Sequence, residues 1–305
     1  MNRIRFALIA TVCFMLLMSL SSLVHASSST NYEIRSDVIG TGGNDTSSSA
    51  SYELRDSVSV NGSGASSSSS YNMSAGYRQR IFDEFANFIV KVQNRSSQVA
   101  ATSLSGTTVA VTNVSGFSVG NYIVVIQDEG QNQVAAVGKI ASISSPNIIV
   151  DSWTTGGVTP TIDSSNDVVY SLDASTASLG TLADSIVATG IIAWEVNVDN
   201  DEGYNIYVLE NDDLKSGSDV LPDVTDGLVS SGVSEYGGRS SDTTLSASTF
   251  DTSDTAFTST AAQVGSRADG TFKSRDFLTL KAAIINNQVA GTYSHTLTFV
   301  YVGDY

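Results

Sequence analysis

Cysteine is almost missing from this chain of 305 residues: there is one, Cys13, inside an apolar run near the N-terminus. A disulfide framework and thiol catalysis are therefore excluded from everything that follows that run. Histidine is nearly as scarce, with only His25 and His295, which leaves too few nitrogen and sulfur ligands for the usual zinc sites. Basic residues are also short, 15 Lys and Arg against 31 Asp and Glu, for a formal charge of −16. That balance opposes binding to nucleic acid or to an anionic lipid surface, both of which need clustered cations. No phosphate loop or dinucleotide fingerprint occurs, and after residue 26 no stretch is apolar for long enough to span a membrane as a helix.

What the chain does have begins with a leader. Arg3 and Arg5 precede the apolar run 6–20, and Val24-His25-Ala26 offers small residues where a signal peptidase reads. The run is short for a membrane-spanning helix, so residues 1–26 read as a signal peptide cleaved after Ala26. Its removal takes Cys13, Arg3 and Arg5 away and moves the charge from −16 to −18. The expectation is an acidic exported protein, secreted and extracellular or held at the cell surface.

Residues 27–80 repeat internally. Tyr32, Tyr52 and Tyr71 each follow a serine-rich run and stand before Glu33-Ile34, Glu53-Leu54 and Asn72-Met73. Each copy reads as one short Tyr-x-aliphatic strand with a glycine-containing turn, too small to bury a core alone. The composition also suits a flexible stalk, and the sequence leaves both readings open. Residues 81–97 read as a linker or helical turn that leads into a strand at 88–92.

Residues 98–172 change texture. Short apolar runs around Val109, Tyr122–Ile126, Val134, Ile140, Ile148 and Val168 are punctuated by turn residues, the cadence of a small closed barrel of five or six strands. Gly116-Phe117-Ser118-Val119-Gly120 resembles a turn found in small β-barrel modules. From residue 173 onward, longer strands alternate with period two. Ile192, Trp194, Val196 and Val198 share one parity, as do Tyr204, Ile206 and Val208 beyond an Asp-rich turn. At the end, Leu278, Leu280 and Ala282, then Leu297, Phe299 and Tyr301, repeat the pattern around Asn286-Asn287-Gln288. Both pairs read as hairpins with one buried face. Segment 210–273 is rich in Asp, Ser and Thr and reads as loops with short strands at 244–250 and 256–264. The strand at 88–92 has no partner nearby, so it reads as the first strand of the C-terminal sandwich, with the barrel inserted after it. The fold class expected is all-β: short N-terminal repeats, a small inserted barrel and a C-terminal antiparallel sandwich over 173–305.

A resemblance enters at Leu179-Gly180-Thr181-Leu182, Trp194 to Val198, Gly203-Tyr204 and the closing Ala290-Gly291-Thr292-Tyr293-Ser294-His295. These stretches resemble secreted bacterial Ig-like sandwich domains similar to the WxL surface domains and to fimbrial or spore-coat subunits. Serine-run repeats ending Ser74-Ala75-Gly76-Tyr77 resemble those that precede such domains. The resemblance implies a cell-surface structural role. The Trp-x-Leu pairs of the WxL family are missing, since Trp153 precedes Thr154-Thr155 and Trp194 precedes Glu195-Val196; attachment to peptidoglycan by that route does not carry over.

Chemistry is thin. His295 reads as a histidine at the rim of the core. Lys91 is placed to form an isopeptide bond with a late strand only by its position. Asp199, Asp201 and Glu202 offer hard oxygens within one turn, the ligand type calcium takes, although the same residues make an ordinary polar turn. Calcium is the one cofactor the sequence suggests. The reading is a secreted or cell-surface structural and adhesive protein, not an enzyme, with the cell envelope, a glycan or a second copy as partner. The alternative is a carbohydrate-binding module that stacks sugars on Tyr122, Trp153 and Tyr236; a glycoside hydrolase with a carboxylate pair comes third.

Overall fold

The computed structural model describes residues 86–198 and 202–304, together with the backbone of six short strands before them. Residues 1–26, read above as a signal peptide, and residues 81–85 and 199–201 lie outside the described residues. The chain divides into two units, Met1–Asp83 and Glu84–Tyr305, each taken here by itself.

In the first unit the strands form three separate antiparallel pairs. β1 (Ser28–Ser29) pairs with β2 (Tyr32–Glu33), β3 (Ser47–Ser48) with β4 (Glu53–Leu54), and β5 (Gly64–Ser67) with β6 (Asn72–Ala75). Each repeat is thus a hairpin of two strands where the sequence suggested one. Backbone pairing asks nothing apolar of a side chain, so a serine run carries no hydrophobic signal and still supplies a strand.

The second unit is all-β. β7 (Ala86–Val92) leads through a turn of 3-10 helix, Arg95–Ser97, into six barrel strands: β8 (Val99–Ser105), β9 (Thr108–Val111), β10 (Tyr122–Gln127), β11 (Val134–Ser144), β12 (Asn147–Val150) and β14 (Val168–Ser171). They run in the order β10-β14-β8-β9-β12-β11, and β11 pairs back onto β10, so the sheet closes; β13 (Thr154–Thr155) lies beside β11. Two long strands turn the corners. β8 pairs first with β14 and then with β9, and β11 first with β10 and then with β12, each across a register shift, Ala101/Ser103 and Ile140/Ser142. Bulges at barrel corners bend a strand from one side of the wall to the next. Ala101, Val109, Ile123, Val125, Ala136, Ile148 and Val169 fill the interior.

The rest is a sandwich of four strands on three. One sheet has the order β19 (Glu235–Ser240), β21 (Thr271–Ala283), β15 (Ala188–Val198), β7; the other has β20 (Ala262–Arg267), β16 (Tyr204–Glu210), β22 (Leu297–Gly303). A small ribbon, β17 (Lys215–Ser216) with β18 (Asp219–Val220), follows β16. β7 pairs with β15 from Ala86↔Val198 to Val92↔Ile192, so the barrel is an insertion between two neighbouring strands of one sheet. Trp194, Tyr204, Ile206, Val208, Phe250, Phe257, Val264, Leu278 and Leu280 form the core. Phe88 of β7 stacks on Tyr301 of β22 at 6.1 Å.

Neither expected hairpin forms. β15 and β16 lie in opposite sheets, as do β21 and β22; β22 pairs with β16 from Glu210↔Leu297 to Tyr204↔Gly303. Period-two patterning reports which face is buried and not which sheet a strand joins, and a chain that crosses from sheet to sheet presents the same alternation as a hairpin. In the segment 210–273 no strand forms at 244–250, and the later strand sits at Ala262–Arg267. Glu235–Ser240 is a strand the sequence did not signal, since Gly237 and Gly238 interrupt it. Both glycines are required: a Cβ on Gly237 would lie 2.5 Å from Val224 Cγ1, and one on Gly238 2.6 Å from Phe257 Cζ.

Barrel and sandwich share a further apolar layer. Tyr122, Val124, Ile126, Val137, Tyr170 and Leu172 from the barrel wall pack with Ile191, Ala193 and Phe277 from the four-stranded sheet. β10, β14, β15 and the latter part of β21 are therefore buried on both faces. This explains why their sequences run apolar without the alternation that one solvated face imposes.

Candidate functional site

The three aromatic residues expected to stack sugars do not form an exposed platform. Tyr122 is 5% exposed and Tyr236 is 1% exposed. Tyr122 points from the first residue of β10 into the barrel–sandwich junction. Lys91 Nζ, Lys139 Nζ and the Arg275 guanidinium lie 5.5, 5.3 and 5.7 Å from its ring centre. Tyr236 is in the sandwich core against Phe257, with ring centres 5.4 Å apart. Trp153 is half-buried against the barrel interior. An amphipathic aromatic side chain was read as a surface binder where burial claimed it. Of the expected calcium turn, Glu202 is exposed, and Asp199 and Asp201 lie outside the described residues.

A different set of acids is brought together. Glu210 closes β16, Asp213 follows in the turn toward β17, and Asp223 lies beyond β18. Oxygens of the three carboxylates lie within 4.8 Å of one another. The position of Asp223 is fixed by its flanks: Tyr236 N–H donates to Pro222 O and Val224 N–H donates to Tyr236 O, each at 2.8 Å. Burial, and then the charges of Asp223, Asp213 and Asp212, push Glu210 up to about 7. Burial, followed by Asp213, also raises Asp223, whose Oδ1 is buried and accepts no hydrogen bond. Three hard oxygens at this spacing match what calcium or a similar divalent cation takes. Among the described residues, these three are the ones grouped so that they could hold such an ion.

His295 backs this group. Its side chain is 7% exposed, with Nδ1 3.0 Å from Glu210 Oε2 and 3.3 Å from the Asp212 carbonyl, and Nε2 2.9 Å from Tyr236 Oη. Burial lowers its pKa, so the ring is neutral. Nδ1–H then donates to the two oxygens, and Nε2 accepts from the tyrosine hydroxyl. The chain Tyr236–His295–Glu210 resembles a proton relay in connectivity, but its outer member is closed in the core beside Phe257. From that end it positions the Glu210 carboxyl through His295. His295 had been expected at the rim of the core; it is enclosed and bonded to an acid.

A second polar concavity lies at the junction, lined by Thr154, Thr155, Ser241, Asp242, Arg267 and Asp276 among others. Its two carboxylates are both held by one cation. Arg267 reaches Asp276 Oδ2 at 2.7 Å and Asp242 Oδ2 at 3.3 Å. Burial raises Asp276 and the Arg267 charge partly offsets it. Acids tied to one guanidinium are a fastening and not the separated acid and base of a glycosidase.

The strongest charge constellation joins the two domains. Arg275 of β21 has a side chain only 1% exposed. Its Nε donates to Glu195 Oε2 at 2.6 Å, its Nη1 to Asp151 Oδ1 at 2.7 Å, and its Nη2 pairs with the other Asp151 oxygen. Glu195 is on β15 of the sandwich and Asp151 just after β12 of the barrel, so one guanidinium ties both by a planar fork. Arg275 holds the Asp151 carboxyl below its ordinary range against the opposing effect of burial. Sequence reasoning missed the Arg275 group, because this arginine stands 80 and 124 residues from its two acids and leaves no local spacing to recognise. Set against known proteins, this chain matches no family model, no curated protein and no solved structure.

Proposed function

We propose that this is an exported structural or adhesive protein that presents two β-domains as one stiff unit for envelope assembly or attachment. The observation that carries the reading is the barrel–sandwich junction. A continuous apolar layer and a fully enclosed guanidinium hold the domains, whereas linked domains that move on one another meet through smaller and wetter surfaces. Large aromatic side chains are spent in the cores, and the best-formed acidic groups are enclosed or tied to a cation. Chemistry placed where substrate does not reach serves stability, not turnover.

The sandwich also supplies a means of assembly. β7 ends one sheet and β22 the other, whereas the outer side of β19 is already bonded to the backbone of Pro222, Val224 and Thr255. Near the β7 and β22 edges Val90, Val300 and Val302 are 37%, 38% and 43% exposed. Open edges accept an added strand from another chain, and the serine-tyrosine repeats ahead of the sandwich serve as spacers or strand donors. The test is to add labelled protein to envelopes of the producing cell and to follow its oligomeric state by light scattering. Saturable retention on envelopes, or assembly beyond the monomer, is expected. A strictly monomeric protein that binds neither envelope nor glycan would refute the proposal.

A further inference from the structure

Lys281 is a buried cation of β21 whose Nζ donates to the Gln131 carbonyl of the barrel at 3.3 Å and is paired with one carboxylate. Its side chain is 9% exposed and that of its partner Asp254 is 1% exposed. Nζ lies 2.9 Å from Asp254 Oδ1 and 3.1 Å from Oδ2. Contact with both oxygens holds the nitrogen within about 3.5 Å of the carboxyl carbon, the separation of a pair poised to react. Oδ2 also accepts the Val229 backbone N–H at 2.9 Å, a donor placed to polarise that carboxyl.

A third group completes the arrangement. Glu235, 6% exposed, accepts the N–H of Ser230 at 2.9 Å. Consecutive backbone amides, Val229 and Ser230, therefore anchor one carboxyl each, Asp254 and Glu235. The sheet register brings the lysine to the same place. Lys281 is opposite Gly237 and Ala283 opposite Glu235, so Glu235 and Lys281 are diagonal neighbours on one face. Gly237 has no side chain to obstruct that face, and the backbone of Thr255 passes close over it. Val187, Val224, Val229 and Ala283 form a dry apolar cluster around this corner.

We infer that Lys281 and Asp254 are a site of intramolecular isopeptide cross-linking, with Glu235 as the proton carrier. The ammonium passes one proton to the Asp254 carboxylate, and the freed amine attacks the carboxyl carbon. Glu235 takes a second proton from the nitrogen of the tetrahedral adduct and returns it to the departing hydroxyl. A C–N bond forms, a C–O bond breaks and one water leaves, with no oxidant or co-reactant. The product amide would tie the loop after Phe250 to β21 in a chain whose only cysteine is Cys13, restraining it as a disulfide restrains other exported proteins. Lys91, considered from sequence, makes no ion pair among the described residues and has its Nζ over the Tyr122 ring. This inference is independent of what the protein attaches to.

The experiment is mass spectrometry of the whole exported chain, with its fold checked by circular dichroism. Folded wild-type protein is expected to weigh about 18 Da less than its sequence, the mass of one water. A tryptic digest should yield residues 240–267 joined to residues 276–305, with Lys281 resistant to cleavage. Glu235→Gln, which keeps the shape of the side chain, is expected to fold and to show the full mass and separate peptides. Folded wild-type protein at full mass, with cleavage after Lys281, would overturn the inference; a cross-link that persists in E235Q would overturn the role of Glu235.

Discussion

Replacing Arg275 by methionine removes the guanidinium and keeps most of the volume of the side chain. The change strands Glu195, whose side chain is 5% exposed, and frees Asp151, whose side chain is 29% exposed. Breaking a buried pair from one side costs about 3–5 kcal/mol, since a charge is left enclosed without a partner. That is a large share of the roughly 5–15 kcal/mol that holds a folded protein together. For a body of this size each kcal/mol moves the midpoint by about 2–4 °C, so R275M should melt about 6–20 °C lower. Calorimetry provides a second signature. Wild-type barrel and sandwich should melt in one transition and R275M in two, because the lost contact spans them. Removing the stranded acids as well (R275M with E195Q and D151N) should recover most of the loss, as neutral replacement of a whole buried network often does. An R275M midpoint within about 2 °C of wild type, roughly 1 kcal/mol or less, would refute the reasoning. So would a D151N cost as large as that of R275M, since the half-exposed acid has water as an alternative partner.

Other expectations follow from the same structure. Glu210 keeps its proton in the folded chain until about pH 7 against an ordinary 4.5; its stabilisation is complete below pH 4.5 and is lost as pH rises through 7. The full difference is at most about 3 kcal/mol, and screening around exposed Asp212 and Asp213 reduces it to about 1–2 kcal/mol. Thermal melts from pH 4.5 to 7.5 should therefore slope less in E210Q than in wild type, and equal slopes would contradict the assignment. Millimolar calcium at pH 7.5 should raise the wild-type midpoint by several degrees through binding to Glu210, Asp213 and Asp223; D223N should lose that gain, and no rise in wild type would remove these residues as a cation site. Gly265→Ala places a Cβ 2.9 Å from Trp194 Cζ2 and should cost about 1–3 kcal/mol in urea unfolding, with no cost meaning that the Trp194 pocket is loose.

The fold was largely legible because alternation is a local signal. Trp194, Val196 and Val198 announce their strand in five residues, and the closed barrel follows from evenly spaced apolar runs. The unpartnered strand at 88–92 is likewise legible: Phe88 needs a core, and none is near it in sequence. What alternation does not encode is the partner of a strand, so two sheet crossings were read as hairpins. Gly237 and Gly238 hid a strand, because the feature that makes them fit under Val224 and Phe257 is the absence of a side chain. The charged groups were illegible for a different reason. Asp151, Glu195 and Arg275 meet only after the barrel has docked on the sandwich, and Asp254 reaches Lys281 only because the intervening strand β20 crosses to the other sheet.

The central claim is that barrel and sandwich behave as one rigid body. Cys13 is the only cysteine, so with Cys13→Ser, spin labels attach only where a cysteine is introduced. Val119 on the barrel and Val300 on the outer sheet of the sandwich are 62% and 38% exposed and accept labels without disturbing a core. Pulsed electron–electron resonance between them should give one narrow distance distribution, no broader than that of two labels within the sandwich. A broad or two-peaked distribution in the folded wild-type protein would contradict the claim.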